Sequence, residues 1–412
     1  MFKTISKCRI CGSEHLASVM ALGEQALTGV FPHSRSEKIT TGPVELVKCS
    51  GVGGCGLVQL KQSYDLSEMY GMNYGYRSGL NASMVRHLHS KVAKILTLDV
   101  LEPGDLVIDI GSNDATALRA YPENNFQLVG IDPTGIKFSS YYPTEIALIA
   151  EFFSADVVAK TLSGKKAKVI TSFSMFYDLE DPIAFAREIE ASLSDDGVWI
   201  FEQSYLPAML RTNSFDTICH EHLEFYALKQ INWIADKAGL KVLDVEFNDV
   251  NGGSFSITAA KISSKRQPNS EWLNKILEDE VALGLDSTRA FDGFKIRVEE
   301  ARIALMSFLR EAKQNGKRVC GLGASTKGNV LLQYYGIDDK LLTEIGEVNE
   351  DKFGSFTPGT HIPLVSEEKL LASNPDYLLV LPWHFRAFFL SSPAMKGRNL
   401  VFPLPKFEIV QV

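Results

Sequence analysis

The chain has 412 residues, 45% of them hydrophobic and 22% charged, the balance of a globular protein with two or three domains. A net charge of −8 argues against a non-specific nucleic-acid binder or a membrane-surface protein, while leaving room for a local basic cleft that takes a phosphorylated small molecule. The N-terminus is polar, with no signal peptide, and no apolar run approaches the roughly 18 residues that a membrane span needs, so a cytoplasmic protein is expected.

Residues 1–72 are expected to form a small module. Four of the six cysteines fall within the first 55 residues, which is not the pattern of a secreted disulfide framework. Cys8-Arg-Ile-Cys11-Gly is a knuckle that directs two thiolates at one metal ion, and Cys49 and Cys55 supply the other two of a four-thiolate zinc site. The second pair is spaced unusually widely, by Ser-Gly-Val-Gly-Gly, but glycines can bulge out of a knuckle. Four thiolates leave no open coordination position, so the expected zinc is structural and stands in for a core that so short a segment cannot build. The alternative is four free buried thiols.

An aromatic and glycine-rich connection follows, with Tyr70, Tyr74 and Tyr76-Arg77-Ser78-Gly. Packing between domains accounts for Tyr70 and Tyr74 as well as ligand contact does. Tyr76 and Arg77 have the stronger claim to a ligand. A helix is expected over 81–98, and then comes Val107-Ile-Asp-Ile-Gly-Ser-Asn-Asp-Ala-Thr116. This reads as a buried strand, a tight turn and a helix N-terminus, the opening of a Rossmann-like domain. Asn113 and Thr116 stand where a dinucleotide fingerprint has its second and third glycines, so the turn suits a ligand without a pyrophosphate. A second strand ends in Asp132-Pro133, about 20 residues on, where an acidic side chain holds a ribose diol. A ribose without a diphosphate points to S-adenosylmethionine, with Asp109, Gly111, Asn113, Asp114, Asp132 and Pro133 as candidate cofactor contacts. An ordinary α/β turn with a solvated aspartate is the plainer alternative.

Within this domain, expected over 73–265, the strand Ala167-Lys-Val-Ile-Thr171 ends in Ser-Phe-Ser174-Met175-Phe-Tyr177, and Gly197-Val-Trp-Ile-Phe-Glu202 ends in polar residues at the same edge. Ligands lie beyond the carboxyl ends of parallel strands, so Ser174 and Met175 are candidates for the donor, and Tyr177 and Glu202 for the acceptor. Cys219-His220-Glu221-His222 places three ionisable side chains in an apolar setting, costly unless they are used or paired. Asn251-Gly-Gly-Ser254 marks a tight turn before a late strand. One long amphipathic helical stretch over 270–315 leads into a third domain, 266–412. There Gly321-Leu-Gly323-Ala-Ser325-Thr-Lys327-Gly-Asn329 is a second strand, turn and helix start, able to carry phosphate on backbone amides and the helix dipole. A degenerate repeat of the first nucleotide fold would read the same. Asn349 and the Trp383-His384 pair end two further strands of this domain.

Taken together these motifs resemble, over nearly the whole chain, the sugar C-methyltransferases that act on nucleotide-linked 4-keto-deoxysugars. The matching pieces are the cysteine knuckles with Cys55-Gly-Leu-Val-Gln-Leu60, Tyr76-Arg-Ser-Gly, Ile110-Gly-Ser-Asn-Asp114, His220-Glu-His222, Asn251-Gly-Gly-Ser and Gly323-Ala-Ser-Thr-Lys327-Gly-Asn329. The resemblance implies an α/β protein in which a class I methyltransferase domain is flanked by a zinc-binding domain and a C-terminal Rossmann-like domain that helps to hold the sugar nucleotide. Two positions depart from the family pattern: Cys219 stands where a tyrosine is common, and Tyr177 near a common histidine. Both bear on the acceptor side.

Methylating carbon requires a carbanion equivalent, and a 4-keto sugar on a dTDP or GDP carrier supplies one when the C3 proton is removed. The resemblance makes His222 the base, with His220 second, and imidazole titrates in a suitable range. It gives Glu221 an orienting role and Tyr76 or Tyr177 the task of donating to the C4 oxygen. Arg77, Glu202, Asn251, Gly323, Ser325, Lys327, Asn329, Asn349 and His384 are the expected sugar-nucleotide contacts. Rival readings are a sugar O- or N-methyltransferase and a non-enzymatic zinc protein that senses a nucleotide. A monomer or weak homo-oligomer is expected, with neither nucleic acid nor membrane as partner.

Overall fold

A computed structural model describes residues 2–69 and 77–412. The sequence expectations for Tyr70, Tyr74 and Tyr76 therefore lie outside the described residues.

The N-terminal segment makes β1 (Phe2–Thr4), β2 (Leu16–Ala26), β3 (Thr41–Cys49), β4 (Val58–Leu60) and β5 (Gln62–Tyr64). β1 pairs with β5, and β2, β3 and β4 form an antiparallel sheet whose fourth strand, β11 (Glu224–Phe225), comes from the following domain. The two domains are thus joined by a strand pairing, which fixes the 219–223 segment just upstream of β11 against the zinc-binding module.

The middle domain supplies β6 (Leu106–Ile110), β7 (Gln127–Ile131), β8 (Ile146–Ile149), β9 (Ala167–Phe173), β10 (Leu193–Ser204), β12 (Leu240–Asn248) and β13 (Ser254–Lys261). Their order is β12-β13-β10-β9-β6-β7-β8, parallel except at β13. Every residue of β6 is buried, which is why the sequence there is a continuous apolar run broken only by Asp109. The chain leaves β6 toward β7 and β8 and then returns to β9, so the carboxyl ends of β6 and β9 flank a topological switch point, where such sheets bind ligands.

One expectation about helices is corrected and another made finer. No helix follows Thr116. The segment contains only a single tight turn at Leu118–Ala120, because Asn113 and Ala115 adopt left-handed conformations (φ 51° and 61°) that an α-helix cannot include, and Pro122 follows at once. The stretch over 270–315 is two helices, Ser270–Ala282 and Arg289–Gln314. Gly284 at φ +81° takes the left-handed position that ends the first of them.

The C-terminal sheet holds β14 (Val319–Leu322), β15 (Ile345–Glu347), β16 (Leu364–Ser366), β17 (Tyr377–Val380), β18 (Asn399–Phe402) and β19 (Glu408–Gln411) in the order β16-β15-β14-β17-β18-β19. Only β19 is antiparallel, so this is a second Rossmann-like sheet with its switch point between β14 and β17. The Gly323 turn and the Trp383-His384 turn leave those two strands and face one another.

One hydrophobic core runs through all three parts, joining Val19 and Leu22, then Phe215, Ile218 and Cys219, to the C-terminal sheet. Phe215, Ile218 and Cys219 are each 0% exposed, and complete burial of a large apolar side chain contributes about 1.5–3 kcal/mol. The loop carrying the candidate base is therefore anchored from both sides. No helix among the described residues is long and apolar enough to cross a membrane.

Candidate active site

The four N-terminal sulfurs converge. Cys8 Sγ lies 3.5 Å from Cys55 Sγ, Cys11 Sγ lies 3.5 Å from Cys49 Sγ, and all four lie within 4.8 Å of one another. Zinc–sulfur bonds of about 2.3 Å put tetrahedral sulfurs about 3.8 Å apart, so the cluster is of the size that ion needs. Gly53 takes a left-handed turn (φ +75°) that lets the wide 49–55 spacing close.

At the switch point of the middle sheet, Gly111 turns at φ +71°, and a Cβ there would meet Met175 Cγ at 3.3 Å. The donor turn and the β9 loop therefore touch. Asp132 ends β7 and organises the turn: its Oδ2 accepts from the Asn113 amide (2.8 Å), and its Oδ1 accepts from the Thr134 amide and hydroxyl (2.7 Å each). A carboxylate offers about four acceptor sites, so one remains for a ribose hydroxyl, and the residues fit an adenosyl ligand. Asp109 is buried behind the turn, accepts from Thr171 Oγ1 at 2.6 Å, and is pushed up to about pKa 7 by desolvation, with the Asp132 charge adding to the effect. Ser112 donates to Tyr142, whose own hydroxyl donates to the Asn113 carbonyl. Asn113 Oδ1 and Asp114 Oδ2 accept the backbone amides of Ser78 and Gly79, and Arg77 sits 3.6 Å from Asp114 and over the Tyr141 ring. Arg77 thus packs against the donor turn. Pro133 follows Asp132 directly, and Ser174 is held at φ 55° with its amide on the Glu202 carbonyl.

His220, Glu221 and His222, expected on the acceptor side, lie on the 213–223 loop. His222 Nδ1 meets the Thr217 carbonyl at 2.8 Å. A carbonyl only accepts, so Nδ1 carries the proton and Nε2 keeps a lone pair. Burial, reinforced by the Lys327 charge and opposed by the Thr217 bond, lowers the ring to about pKa 4. The ring meets Tyr177 edge-on, with centroids 4.4 Å apart. His220 turns away: it is fully buried, its Nε2 donates to the Gln25 carbonyl at 3.2 Å, and Tyr64 stacks edge-on at 4.6 Å. The two histidines do not share a face.

Glu221 accepts from Thr28 Oγ1 at 3.4 Å and from the Cys219 thiol, and burial raises its pKa. The C-terminal domain packs against this loop. Lys327 Nζ donates to the Asn251 carbonyl at 2.7 Å, and Trp383 Nε1 donates to Asp216 Oδ2 at 2.7 Å. Burial, reinforced by the Lys327 charge, depresses the His384 ring. Gly323 turns at φ +76° against Pro382, and Ser325 caps the helix Thr326–Tyr335 by accepting from the Gly328 amide. Asn329 donates to the Thr28 carbonyl at 2.7 Å, a joint between the outer domains.

Residues 8–70 match the family described as "Putative zinc binding domain", residues 81–245 the "Methyltransferase domain", and residues 249–405 the "C-methyltransferase C-terminal domain". C-methyltransferase NovU of Streptomyces niveus is 26% identical across 99% of this chain and 97% of its own length. Together the three domain matches and the full-length relative make the chain an S-adenosylmethionine-dependent C-methyltransferase. Among solved structures, CcbJ methyltransferase of Streptomyces caelestis is 10% identical over 42% of this chain and 89% of its own, with a TM-score of 0.34. Magnesium protoporphyrin IX methyltransferase of Synechocystis PCC 6803, solved with its methyl donor, is 13% identical over 43% of this chain and 79% of its own, with a TM-score of 0.32.

The methyltransferase domain is the part that takes S-adenosylmethionine, and the four-cysteine cluster lies in the domain matched as zinc-binding. The structure brings His222 against Tyr177 and Lys327 against Asn251, with the Lys327 charge acting on both His222 and His384 and Glu221 next to His222 in the chain. Glu202 lies apart, 3% exposed, accepting from His87 (2.5 Å), Lys91 (2.7 Å) and Asn248 (2.8 Å), so it ties the helix Ala82–Ile95 to the sheet edge. Asn349 ends β15 and caps its own turn through Asp351. Reading the sequence missed Thr28, Thr217 and Asp216. Nothing in their local sequence marks them, since each acts through a contact made only in the folded chain.

Proposed function

We propose that this C-methyltransferase transfers its methyl group to C3 of a dTDP- or GDP-linked 4-keto-6-deoxy sugar through an enolate. The observation that supports this most is the tautomer of His222: with Nδ1–H held by the Thr217 carbonyl, Nε2 is a fixed, unprotonated base at the acceptor side. The path from donor to base is short in sequence, because Met175 touches the donor turn and Tyr177 touches His222.

The sulfonium cofactor, held by the 111–114 turn and Asp132, supplies an electrophilic methyl group. His222 Nε2 takes the C3 proton, and the electron pair it leaves delocalises onto the C4 oxygen. Tyr177 donates to that oxygen, and Tyr76 is a second candidate donor. Glu221 orients a sugar hydroxyl. Lys327, a buried cation whose pKa burial lowers, gains from a diphosphate nearby, with Ser325, Gly323 and His384 around it. Arg77 and Glu202, by their contacts, support the donor turn and the sheet edge.

The test is methyl transfer from [methyl-13C]S-adenosylmethionine to dTDP- and GDP-linked 4-keto-6-deoxyglucose, with carbon NMR of the product. A labelled methyl signal at the shift of a methyl on carbon, well upfield of a methoxyl, supports the proposal. Transfer to oxygen, or none to either sugar, counts against it.

A further inference from the structure

The zinc-binding domain does more than fold beside the enzyme. After β2 the chain runs through Ala26, Leu27 and Thr28, and two side chains of the Thr326–Tyr335 helix hold it there. Gln333 accepts from the Ala26 amide (2.7 Å) and donates to the Ala26 carbonyl (3.1 Å), and Asn329 donates to the Thr28 carbonyl (2.7 Å). Asn329 and Gln333 are four residues apart and share one helix face. The helix that carries Lys327 therefore also carries this piece of the N-terminal domain.

The pinned segment meets Glu221. Thr28, 0% exposed, donates its hydroxyl to Glu221 Oε2 at 3.4 Å. A Cβ on Gly29 would lie 2.8 Å from Glu221 Oε1 and 3.8 Å from Thr326 Oγ1. Gly29 is not in the left-handed region that calls for glycine. A Cβ there would push the Glu221 carboxylate aside, because the carboxylate approaches the Gly29 backbone more closely than a Cβ tolerates.

We propose that the Thr28–Gly29 turn is a third wall of the acceptor site: Thr28 is a positioning residue that aims the Glu221 carboxylate, and the bare Cα of Gly29 sets the clearance in which it sits. The inference rests on the reading above that Glu221 orients the sugar. It also explains why zinc-binding and C-terminal domains flank the transferase. Each contributes contacts to the 213–223 loop, Thr28 to Glu221 and Trp383 to Asp216.

The test uses the full zinc-loaded chain with dTDP-4-keto-6-deoxyglucose and S-adenosylmethionine, comparing wild type with Thr28→Val, Thr28→Ser and Gly29→Ala. Thr28→Val removes only the hydroxyl donor and should lower kcat about tenfold, with S-adenosylmethionine affinity unchanged and Thr28→Ser restoring it to within about twofold. Gly29→Ala should lower kcat/KM for the sugar about a hundredfold, the usual effect of misplacing a positioned group by about 1 Å. Its crystal structure should have the Glu221 carboxylate displaced. If wild type turns over and both Thr28→Val and Gly29→Ala match it, the wall is refuted while the reaction stands. If wild type leaves this sugar unchanged but Gly29→Ala still displaces Glu221, the wall stands and the reaction assignment falls. An unmoved Glu221 in Gly29→Ala overturns the wall in either case.

Discussion

The lowered His222 pKa has a consequence that an ordinary histidine base would not have. Neutral imidazole is the active form, and the ring gains its proton as pH falls through its pKa, so activity has an acid limb at that pKa. At pH 5 a ring with a pKa of about 4 is about nine-tenths neutral, whereas one at the usual 6.5 is only about 3% neutral. The perturbation is therefore pH alone, and the two cases differ by about thirtyfold. The assay is kcat/KM for the keto-sugar nucleotide between pH 4.5 and 8, since kcat/KM reports the free enzyme. Enzyme held at pH 5 and returned to pH 7.5 controls for unfolding. Most of the neutral-pH kcat/KM should persist at pH 5. Bringing a diphosphate beside Lys327 offsets part of the positive charge that depresses the ring, so the limb of kcat should lie at higher pH than that of kcat/KM. A kcat/KM midpoint near 6.5 with the enzyme intact would refute the assignment of a buried, depressed base.

Other outcomes follow from single contacts. Trp383→Phe leaves the fully buried Asp216 without its indole donor and should cost about 2–3 kcal/mol in urea unfolding, with an unchanged midpoint counting against the interdomain lock. Cys55→Ser should abolish stoichiometric zinc by metal analysis and lower the Tm, because metal binding and folding of the small domain are coupled; full zinc content in the variant would exclude Cys55 as a ligand. Asp132→Ala should weaken S-adenosylmethionine binding by calorimetry more than tenfold while the protein stays folded, and wild-type affinity would remove Asp132 from the donor site.

The sequence carried the architecture where a residue's chemistry and its spacing pointed the same way. Four cysteines announce a metal whatever the fold between them, and apolar runs stopped by Gly111 and Gly323 announce strands ending at binding turns. The helix expected after Thr116 failed because nothing in Asn113 or Ala115 advertises a left-handed backbone, and the break inside the 270–315 helical stretch was not legible because Gly284 reads as tolerable within a helical pattern. The acceptor side was legible only as a list of residue types. What gives His222 its tautomer is a backbone carbonyl, and what aims Glu221 comes from 193 residues away. Asp216 and Trp383, 167 residues apart, meet only through the packing of one domain on another. Such contacts leave no periodicity or spacing behind.

The most direct measurement of the central claim is hydrogen exchange at C3. Keto-sugar nucleotide is incubated in deuterated water with S-adenosylhomocysteine and either wild-type enzyme or His222→Asn, and proton NMR follows the C3 signal. The account predicts its loss with wild type and its retention with His222→Asn. Equal loss with both enzymes would contradict it.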